Sequence, residues 1–283
     1  MRSETFGQAT IYLGDFRDAL PACLRVNAVI TDPPYEVEAH GANRILGAGR
    51  KREMRARALD FCAMTTELRD QFSEISASMC DGWCLAFCQA EAVAAWRASM
   101  EGAGMSWRRA MIWVKPDSSP QLTGDRPAQG YESIAAAWCG AGRSRWNGGG
   151  RRGVFTFNKH DPGCGHGGRS NEHPTQKPVA LMSELVSLFS EPGGVVLDPF
   201  MGSGSTGVAC LRHGRSFVGI ERDARYFEMA CRRLDAASRQ ADFFGTDFGT
   251  ASAGQQMLTR QGLEFGAPGE IRTPDPLVRS QEQ

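Results

Sequence analysis

The sequence predicts an α/β protein with an open, mostly parallel, doubly wound sheet. Short apolar segments typical of strands alternate along the chain with longer amphipathic segments of helical period. Strands and helices in alternation form a parallel sheet that is covered by helices on both faces. Two predicted strands run directly into distinctive turns, Asp32–Tyr35 and Asp198–Gly204. Ligands bind such sheets beyond the carboxyl ends of strands, so one cleft is expected to hold both turns.

The predicted elements follow one another at the spacing of an α/β fold. The strand at 28–31 ends at two prolines, which cannot continue a hydrogen-bonded ladder. The stretch 140–174 lacks periodicity apart from residues 154–157, and it is interpreted as an insertion. Strands are expected at residues 9–13, 28–31, 83–87, 110–114, 133–138, 195–198 and 217–220, and helices at 16–23, 65–79, 91–100, 178–189, 205–211 and 224–237.

The chain of 283 residues is long enough to bury a full core, and the elements define one domain over residues 1–239. This domain is expected to contain a basic mobile loop at 36–60 and an inserted region at 141–173. Residues 240–283 are rich in Gly, Ser, Gln and Pro and are predicted to form a poorly ordered tail. Neither a membrane span nor a secretory signal is evident, so a cytoplasmic protein is expected.

The nine cysteines form no Cys-x-x-Cys pair, and their odd number does not favour a disulfide framework. One Gly-rich stretch, 160–173, contains three histidines and a cysteine. Their spacing matches no zinc pattern, so the stretch is interpreted as a loop and no metal is expected.

The net charge of zero argues against a nucleic-acid partner, but the charge is unevenly distributed. Residues 40–59 contain six basic side chains and one acid, and residues 142–171 contain six basic side chains and one acid. Such stretches can neutralise phosphates although the rest of the chain is acidic. Solvated loop surfaces are the alternative.

The segment Asp198–Gly207 begins at a strand end, enters a helix and satisfies the pattern G-x-G-x-x-G from Gly202 onward. Glycines permit a tight turn close to a ligand, and an acid after the next strand, Glu221, suits a ribose. A nicotinamide dinucleotide enzyme and a turn used only for packing are the alternatives. A pyrophosphate needs a clear helix start, whereas the carboxylate of Asp198 and the ring of Phe200 favour a ligand with a cationic amine, such as S-adenosylmethionine.

The turn Asp32–Tyr35 carries the groups that methylation of an exocyclic amine requires. The lone pair of such an amine is delocalised into its ring, so the nitrogen must become more tetrahedral before it attacks a sulfonium methyl. A carboxylate and a backbone carbonyl that accept its two N–H groups favour that form, and Asp32 and Pro33 offer them. Tyr35 offers a flat face for a base pulled out of a duplex. A chance match in a turn is the alternative.

Three motifs, Asp32–Tyr35, His173–Pro178 and Leu197–Gly204, resemble those of the amino-directed (N6-adenine/N4-cytosine) DNA methyltransferases. The catalytic motif precedes the cofactor motif, as in the beta class of that family. The resemblance implies a Rossmann-like methyltransferase fold, S-adenosylmethionine as the cofactor and double-stranded DNA as the substrate. The catalytic residues that it implies are Asp32, Pro33, Pro34 and Tyr35. The cofactor-binding residues expected are Asp15, Thr31, Thr175, Lys177, Asp198, Phe200, Gly202, Ser203, Gly204 and Glu221.

The first residue of the tetrapeptide bears on the target base. Within the family an aspartate there is commoner in adenine-N6 enzymes and a serine in cytosine-N4 enzymes, so adenine N6 is predicted and cytosine N4 is the alternative. None of the nine cysteines follows a proline, which disfavours chemistry at cytosine C5. Methyltransferases of RNA or protein glutamine are a further alternative. They usually begin the tetrapeptide with Asn and place it after the cofactor turn, so Asp32 and the order of the motifs disfavour them. The intact motifs disfavour an inactive DNA-binding relative.

The residues expected to contact DNA come from the two basic stretches. The insertion is shorter than many target-recognition regions of the family, and the tail has no counterpart there. A homodimer and a cognate restriction endonuclease are partners that the sequence leaves open. The expected DNA-binding residues are Arg50, Arg52, Arg145, Trp146, Arg151 and Arg152, with an ordinary surface loop as the alternative for each.

Overall fold

The computed structural model describes residues 2–20, 24–34, 64–122, 124–159 and 176–243. The described residues form one sheet of nine strands and the helices that cover it. The strands are β1 (Arg2–Phe6), β2 (Ala9–Leu13), β3 (Val26–Thr31), β4 (Cys80–Cys88), β5 (Ser106–Val114), β6 (Tyr131–Trp138), β7 (Val154–Thr156), β8 (Val195–Asp198) and β9 (Ser216–Glu221). The helices are α1 (Phe16–Ala19), α2 (Thr66–Met79), α3 (Val93–Gly102), α4 (Val179–Phe189), α5 (Ser205–Arg212) and α6 (Ala224–Phe243), with a short 3-10 helix at Ala90–Ala92.

The order of strands in the sheet is β1-β2-β9-β8-β3-β4-β6-β5-β7. The central strands from β2 to β4 run parallel to one another, whereas β6 is antiparallel to both of its neighbours. From β3 the chain continues to one side of the sheet, and from β8 it continues to the other side. Such a switch point opens a crevice at the carboxyl ends of the two strands. The predicted open, mostly parallel, doubly wound sheet is confirmed.

Apolar side chains of the central strands alternate between the two faces of the sheet. Ile30 of β3 packs in one core cluster with residues of α4, α5 and α6, whereas its neighbour Val29 packs in the other with residues of α1, α2 and α3. This alternation follows from the two-residue period of a strand. Helices therefore cover both faces, and the sheet is buried between them.

Each predicted strand and helix coincides with an observed element, but two differences have clear causes. The helix predicted at 16–23 ends at Ala19, and Leu20 is extended with φ −76° and ψ 126°. Leu20 precedes Pro21, and a proline disfavours helical geometry in the residue before it. Strand β1 was not predicted, because its residues have no apolar alternation. It pairs antiparallel with β2 through a turn at Gly7, whose φ is 56°.

The limits of the predicted domain are only partly covered by the described residues. Met1–Asp247 form one compact unit, and α6 continues to Phe243, past the predicted domain end at 239. The basic loop at 36–60, residues 160–173 of the insertion and the tail beyond α6 lie outside the described residues. The described part of the insertion adds β7 to the sheet beside β5. Within the described ranges, no helix combines the length and apolar character that crossing a membrane requires.

Candidate active site at the carboxyl edge of the sheet

A buried carboxylate joins the carboxyl ends of β3 and β8. The Thr31 hydroxyl donates to Asp198 Oδ1 at 2.6 Å, and the Thr206 hydroxyl of α5 donates to Asp198 Oδ2 at 2.6 Å. The Phe200 amide is a third donor, at 3.2 Å from Oδ1. Asp198 is only 2% exposed, and burial raises its pKa to about 6 although both hydroxyls act to lower it. Thr31 and Asp198 thus tie β3 to the turn, with both carboxylate oxygens bonded to protein donors.

Glycines of the turn after β8 are required for two different reasons. Gly202 has φ 52°, and Gly204, which caps α5, has φ 79°. Other residues rarely adopt this left-handed conformation. At Gly207 the reason is space, because a Cβ there would lie 2.7 Å from side-chain atoms of Leu234 and Phe217. The packing role that the sequence left open therefore applies to Gly207, and the shape of the turn depends on Gly202 and Gly204.

Glu221, at the end of β9, holds the turn from the other side. Its carboxylate accepts the Gly202 N–H at 2.9 Å and the Asp223 N–H at 2.7 Å. Burial raises the pKa of Glu221 above its ordinary value. Each carboxylate oxygen has a further lone pair, so both hydroxyls of a ribose remain acceptable partners.

Asp15 lies beside the end of β9, because the Gly14 N–H donates to the Glu221 carbonyl at 3.0 Å. The Asp15 side chain caps α1 and accepts the Arg17 N–H at 3.0 Å. The Arg17 guanidinium lies 2.7 Å from Asp15 Oδ2, and this hydrogen-bonded pairing holds the pKa of Asp15 below its ordinary value. Asp15 is therefore a charged carboxylate at the rim of the turn.

Phe200 and Ser203 contact residues that are distant in the sequence. The half-buried ring of Phe200 lies 5.0 Å from the ring of Phe16, measured between centroids. Arg233 of α6 donates to the Ser203 carbonyl at 2.6 Å and to the Ser203 hydroxyl at 2.8 Å. The same hydroxyl lies 3.4 Å from Gln176 Oε1. Sequence reasoning missed Arg233, because nothing local distinguishes it from other basic residues of an amphipathic helix.

At the end of β3, Asp32 belongs to a chain of alternating charges. Lys177 Nζ lies 2.5 Å from Asp32 Oδ2 and 3.2 Å from Glu132 Oε1. Lys115 Nζ lies 2.6 Å from the other oxygen of Glu132. Glu132 is in β6 and Lys115 follows β5, so the β5–β6 hairpin brings both residues to this edge. The side chains of Lys177 and Glu132 are 7% and 6% exposed, whereas that of Asp32 is 27% exposed.

The pKa values of the Asp32 and Glu132 carboxylates are shifted in opposite directions. Burial raises the pKa of Asp32 to about 6, an effect that Lys177 opposes and Glu132 reinforces. Burial acts in the same direction on Glu132, but Lys177 and Lys115 outweigh it and leave the pKa of Glu132 below its ordinary value. Of the two carboxylates, Asp32 is therefore the one whose pKa lies closer to neutral pH, as is common for a reactive carboxylate.

The structure adds two partners to the expected surroundings of Lys177. The family resemblance implies that this residue lies near the cofactor, which stays a prediction, and its ammonium lies against Asp32 and Glu132. Sequence reasoning missed Glu132 and Lys115. One signal was available: Glu132 is the one charged residue of the strand at 131–138, and a buried charge requires a partner.

Several expected site residues cannot be placed. Within the catalytic turn, Pro33 is buried and Pro34 is half-buried. Among the described residues no three His, Cys, Asp or Glu side chains are grouped so as to hold a metal, and the stretch 160–173 lies outside them. The predicted site residues outside the described ranges are Tyr35, Arg50, Arg52 and Thr175.

Arg145 and Trp146 lie at the opposite, amino edge of the sheet. The Trp83 indole N–H, near the start of β4, donates to the Arg145 carbonyl. The Trp146 ring lies 4.8 Å from the ring of Phe189 at the end of α4. Both residues therefore lie at the other edge of the sheet from Asp32, and their contact with DNA stays a prediction. Composition identified an arginine-rich aromatic segment but not the edge of the sheet on which it lies.

Arg151 and Arg152 lie between that segment and β7. The Arg151 guanidinium pairs with Glu184 in the middle of α4, and both arginines are exposed. Their contact with DNA stays a prediction.

The carboxyl edge therefore contains two half-sites that meet at the Thr31–Asp198 hydrogen bond. One half consists of the glycine-rich turn, Glu221 and Asp15, and it suits the nucleoside part of a cofactor. The other half is the Asp32 carboxylate with its lysine and glutamate partners. A doubly wound α/β fold with these two halves in one cleft defines an enzyme that brings a cofactor and a second substrate together.

Comparisons with known proteins identify the family. The model of the N6 and N4 methyltransferases, described as DNA methylase, matches residues 26–232. Over 66 residues the chain is 52% identical to the DNA adenine methyltransferase YhdJ of Escherichia coli strain K12. The matched residues make up 23% of this chain and 22% of that relative. The match thus spans about a fifth of the relative's length.

Solved structures agree with the fold. The M1.HpyAVI–SAM complex has a TM-score of 0.60 at 27% identity, over 80% of this chain and 99% of that chain. The PvuII DNA methyltransferase (cytosine-N4-specific) has a TM-score of 0.62 at 14% identity, over 84% of this chain and 93% of that chain, a likeness that concerns the fold alone. Because the family model matches more than half of the chain, including the turns that follow β3 and β8, the chain belongs to the N6/N4 DNA methylase family.

Proposed function

We propose that this protein transfers the methyl group of S-adenosylmethionine to the N6 amine of an adenine flipped out of double-stranded DNA. The observation that carries the proposal is the position of Asp32, which directly follows β3 beside the glycine-rich turn after β8. The hydrogen bond from Thr31 to Asp198 fixes the two turns relative to each other. A cofactor on one turn and a base at the other would therefore be held side by side.

The residues of the cofactor half fit S-adenosylmethionine. Gly202 and Gly204 leave the backbone of the turn open to a ligand, and Glu221 has lone pairs for ribose hydroxyls. Asp15 adds a charged carboxylate at the rim. Such surroundings favour a ligand with a sulfonium and an ammonium over an anionic pyrophosphate. When bound, S-adenosylmethionine supplies an electrophilic methyl group.

Asp32 and Pro33 prepare the target nitrogen. Hydrogen bonds from the exocyclic amine to the Asp32 carboxylate and to the Pro33 carbonyl favour a tetrahedral nitrogen whose lone pair is free to attack. The nitrogen carries a surplus proton after it has gained the methyl group. The Asp32 carboxylate, whose pKa is about 6, accepts this proton and passes it to water. No covalent bond between base and protein is needed.

The adenine assignment rests on the aspartate that begins the tetrapeptide and on the identity with YhdJ, whose name describes an adenine enzyme. Cytosine N4 is the alternative, because both bases present a planar ring with an exocyclic amine. A homodimer, a restriction endonuclease partner and the roles of the individual site residues stay predictions.

The proposal is tested by incubating the purified protein with duplex DNA and S-adenosylmethionine that carries a labelled methyl group. The DNA is then digested to nucleosides and analysed by mass spectrometry. Label in N6-methyl-2′-deoxyadenosine that disappears with Asp32→Ala, while cofactor binding persists in calorimetry, is the expected result. Label in N4-methyl-2′-deoxycytidine would establish the alternative. A wild-type protein that binds the cofactor but labels neither base would overturn the proposal.

A further inference from the structure

We propose that Lys177 is a movable counter-ion: it pairs with Asp32 before the target amine arrives and shifts onto Glu132 when the amine takes its place. Lys115 keeps Glu132 charged for this exchange. Glu132 and Lys115 are then positioning residues that act on Asp32 through Lys177. This inference rests on the proposed function, because it concerns the step at which Asp32 receives the base.

The distances define two places for one ammonium. Lys177 Nζ is 2.5 Å from Asp32 Oδ2 and 3.2 Å from Glu132 Oε1, so it already lies between the two carboxylates. It also lies 4.9 Å from the centroid of the Phe87 ring, a contact that attracts a cation whichever carboxylate it favours. After a small displacement towards Glu132, the Lys177 ammonium would therefore still lie beside protein groups that stabilise its charge.

The exposure of the charged side chains determines which of them a base can reach. The Asp32 side chain is 27% exposed, whereas those of Lys177 and Glu132 are 7% and 6% exposed. A substrate therefore reaches Asp32 and not the two side chains behind it. Glu132 must act from the protein side, and it has no direct access to the reacting nitrogen.

The exchange is useful because an ammonium held against Asp32 opposes the reaction. Lys177 occupies one oxygen of Asp32 and weakens that carboxylate as an acceptor. The target nitrogen gains positive charge as it is methylated, and a second cation at hydrogen-bond distance from Asp32 repels it. When Lys177 lies on Glu132, Asp32 offers its full negative charge to the amine.

Glu132 can receive Lys177 only while it is ionised. Its own burial disfavours the charged form, but Lys115 Nζ lies 2.6 Å from Oε2 and offsets that cost. Lys115 in turn lies 4.4 Å from the centroid of the Trp113 ring. The Lys115–Glu132 pair therefore keeps Glu132 available to Lys177. The side chains of Asp32, Lys177, Glu132 and Lys115 together have no net charge.

A purely structural ion cluster is the competing explanation, and it predicts different behaviour. Such a cluster would stabilise the junction of β3, β5 and β6, and its loss would lower the melting temperature. It would shift the pKa of Asp32 through the same charges, but it would leave the plateau rate of methyl transfer unchanged when Glu132 is replaced. The charged groups facing Asp32 in the described residues are Lys177, Glu132, Lys115 and, beyond Thr31, Asp198.

The test compares Glu132→Gln and Lys115→Met with the wild-type full-length protein. Single-turnover methyl transfer at saturating DNA and S-adenosylmethionine is measured from pH 5 to pH 8, and the titration of Asp32 is followed independently by carboxyl carbon NMR. Removal of Glu132 should move the acid limb of the rate and the Asp32 titration to lower pH, because Glu132 raises the pKa of Asp32. Removal of Lys115 should move both to higher pH.

The rate at the pH plateau should fall about tenfold with Glu132→Gln, the scale of one charged contact in the transition state. The dissociation constant of S-adenosylmethionine should not change. The matched control is Glu101→Gln, which removes a carboxylate from the exposed Arg97–Glu101 pair of α3, and it should leave rate and titration unchanged.

A plateau rate that both Glu132→Gln and Lys115→Met leave at the wild-type value would overturn the inference while leaving the proposed function intact, even if the acid limb and the Asp32 titration move. A wild-type protein that transfers no methyl group would instead overturn the proposed function and this inference together. If Glu132→Gln does not fold, Lys115→Met still decides the question, since Lys115 lies at the more exposed outer end, with its side chain 17% exposed.

Discussion

Two aspartates, one buried and one partly exposed, lie at the ends of adjacent parallel strands, and their partners differ in kind. Asp198 accepts hydrogen bonds from two neutral hydroxyls and one amide, and it is 2% exposed. Asp32 is paired with an ammonium, and its side chain is 27% exposed. Burial raises the pKa of both to about 6. The comparison teaches that two carboxylates with similarly raised pKa values can differ in their partners and in their exposure, and the roles proposed for them follow from those two differences.

The largest expected effect separates these two roles. Asp32→Asn should lower the single-turnover rate of methyl transfer by about two to three orders of magnitude, because an amide lacks the negative charge that the developing cation needs. The affinity for S-adenosylmethionine, measured by calorimetry, should stay the same. Asp198→Asn is the matched substitution, and it should weaken cofactor binding more than it slows the transfer from the bound state. Equal effects of both substitutions on rate and affinity would remove the distinction.

The second expected effect concerns stability. Asp198→Ala leaves the buried hydroxyls of Thr31 and Thr206 without their shared acceptor, so the free energy of unfolding should fall by about 3 kcal/mol. Urea denaturation measures this change. Asp32→Ala is the comparison, and it should cost less, because Lys177 keeps Glu132 as a partner. A larger loss for Asp32→Ala than for Asp198→Ala would contradict the roles assigned here.

The third expected effect is a dependence on pH that differs in sign between activity and stability. The rate should rise with pH through about 6 as Asp32 becomes a carboxylate. Both aspartates have a pKa above the ordinary value of 3.8, so between about pH 4 and pH 6 the folded protein binds more protons than the unfolded chain. Their contribution to the free energy of unfolding should therefore fall as pH rises through this window and level off above it. Urea midpoints and rates measured on one pH series check both signs.

The smallest expected effect tests the two edges of the sheet. Arg145→Ala should change the affinity for duplex DNA by less than about twofold, because a side chain at the amino edge makes no phosphate contact when DNA lies at the carboxyl edge. Fluorescence anisotropy at two salt concentrations measures the affinity and its salt dependence. The comparison is Arg152→Ala, which replaces an exposed residue next to β7. A strong loss of affinity with Arg145→Ala would show that DNA contacts the amino edge of the sheet as well as the carboxyl edge.

Local patterns were sufficient to predict most of the fold. Short, continuous apolar runs identified β3 and β8, and the prolines and glycines that follow identified the two turns. The helix after β2 was predicted too long because the prediction followed the apolar residues of the segment and did not take Pro21 into account. Strand β1 was missed because an edge hairpin needs no apolar alternation.

The site was predictable where one motif holds the residues together, and not where distant segments meet. Asp32 and the turn from Asp198 to Gly204 each follow a single strand. The partnership of Lys177 with Glu132 joins residues that are 45 positions apart, and it depends on the β5–β6 hairpin that brings Glu132 to the carboxyl edge. Similarly, the arginines and Trp146 of the insertion had the composition of a DNA contact, but composition does not specify an edge of the sheet.

Sequencing of modified bases in DNA from a methylation-deficient host tests the central claim most directly. Cells that express the wild-type protein should contain N6-methyladenine within a defined sequence context, and cells that express Asp32→Ala at the same level should contain none. Methylation only at cytosine N4 would contradict the adenine assignment. The same adenine methylation with Asp32→Ala as with the wild-type protein would contradict the role of the carboxylate at the end of β3.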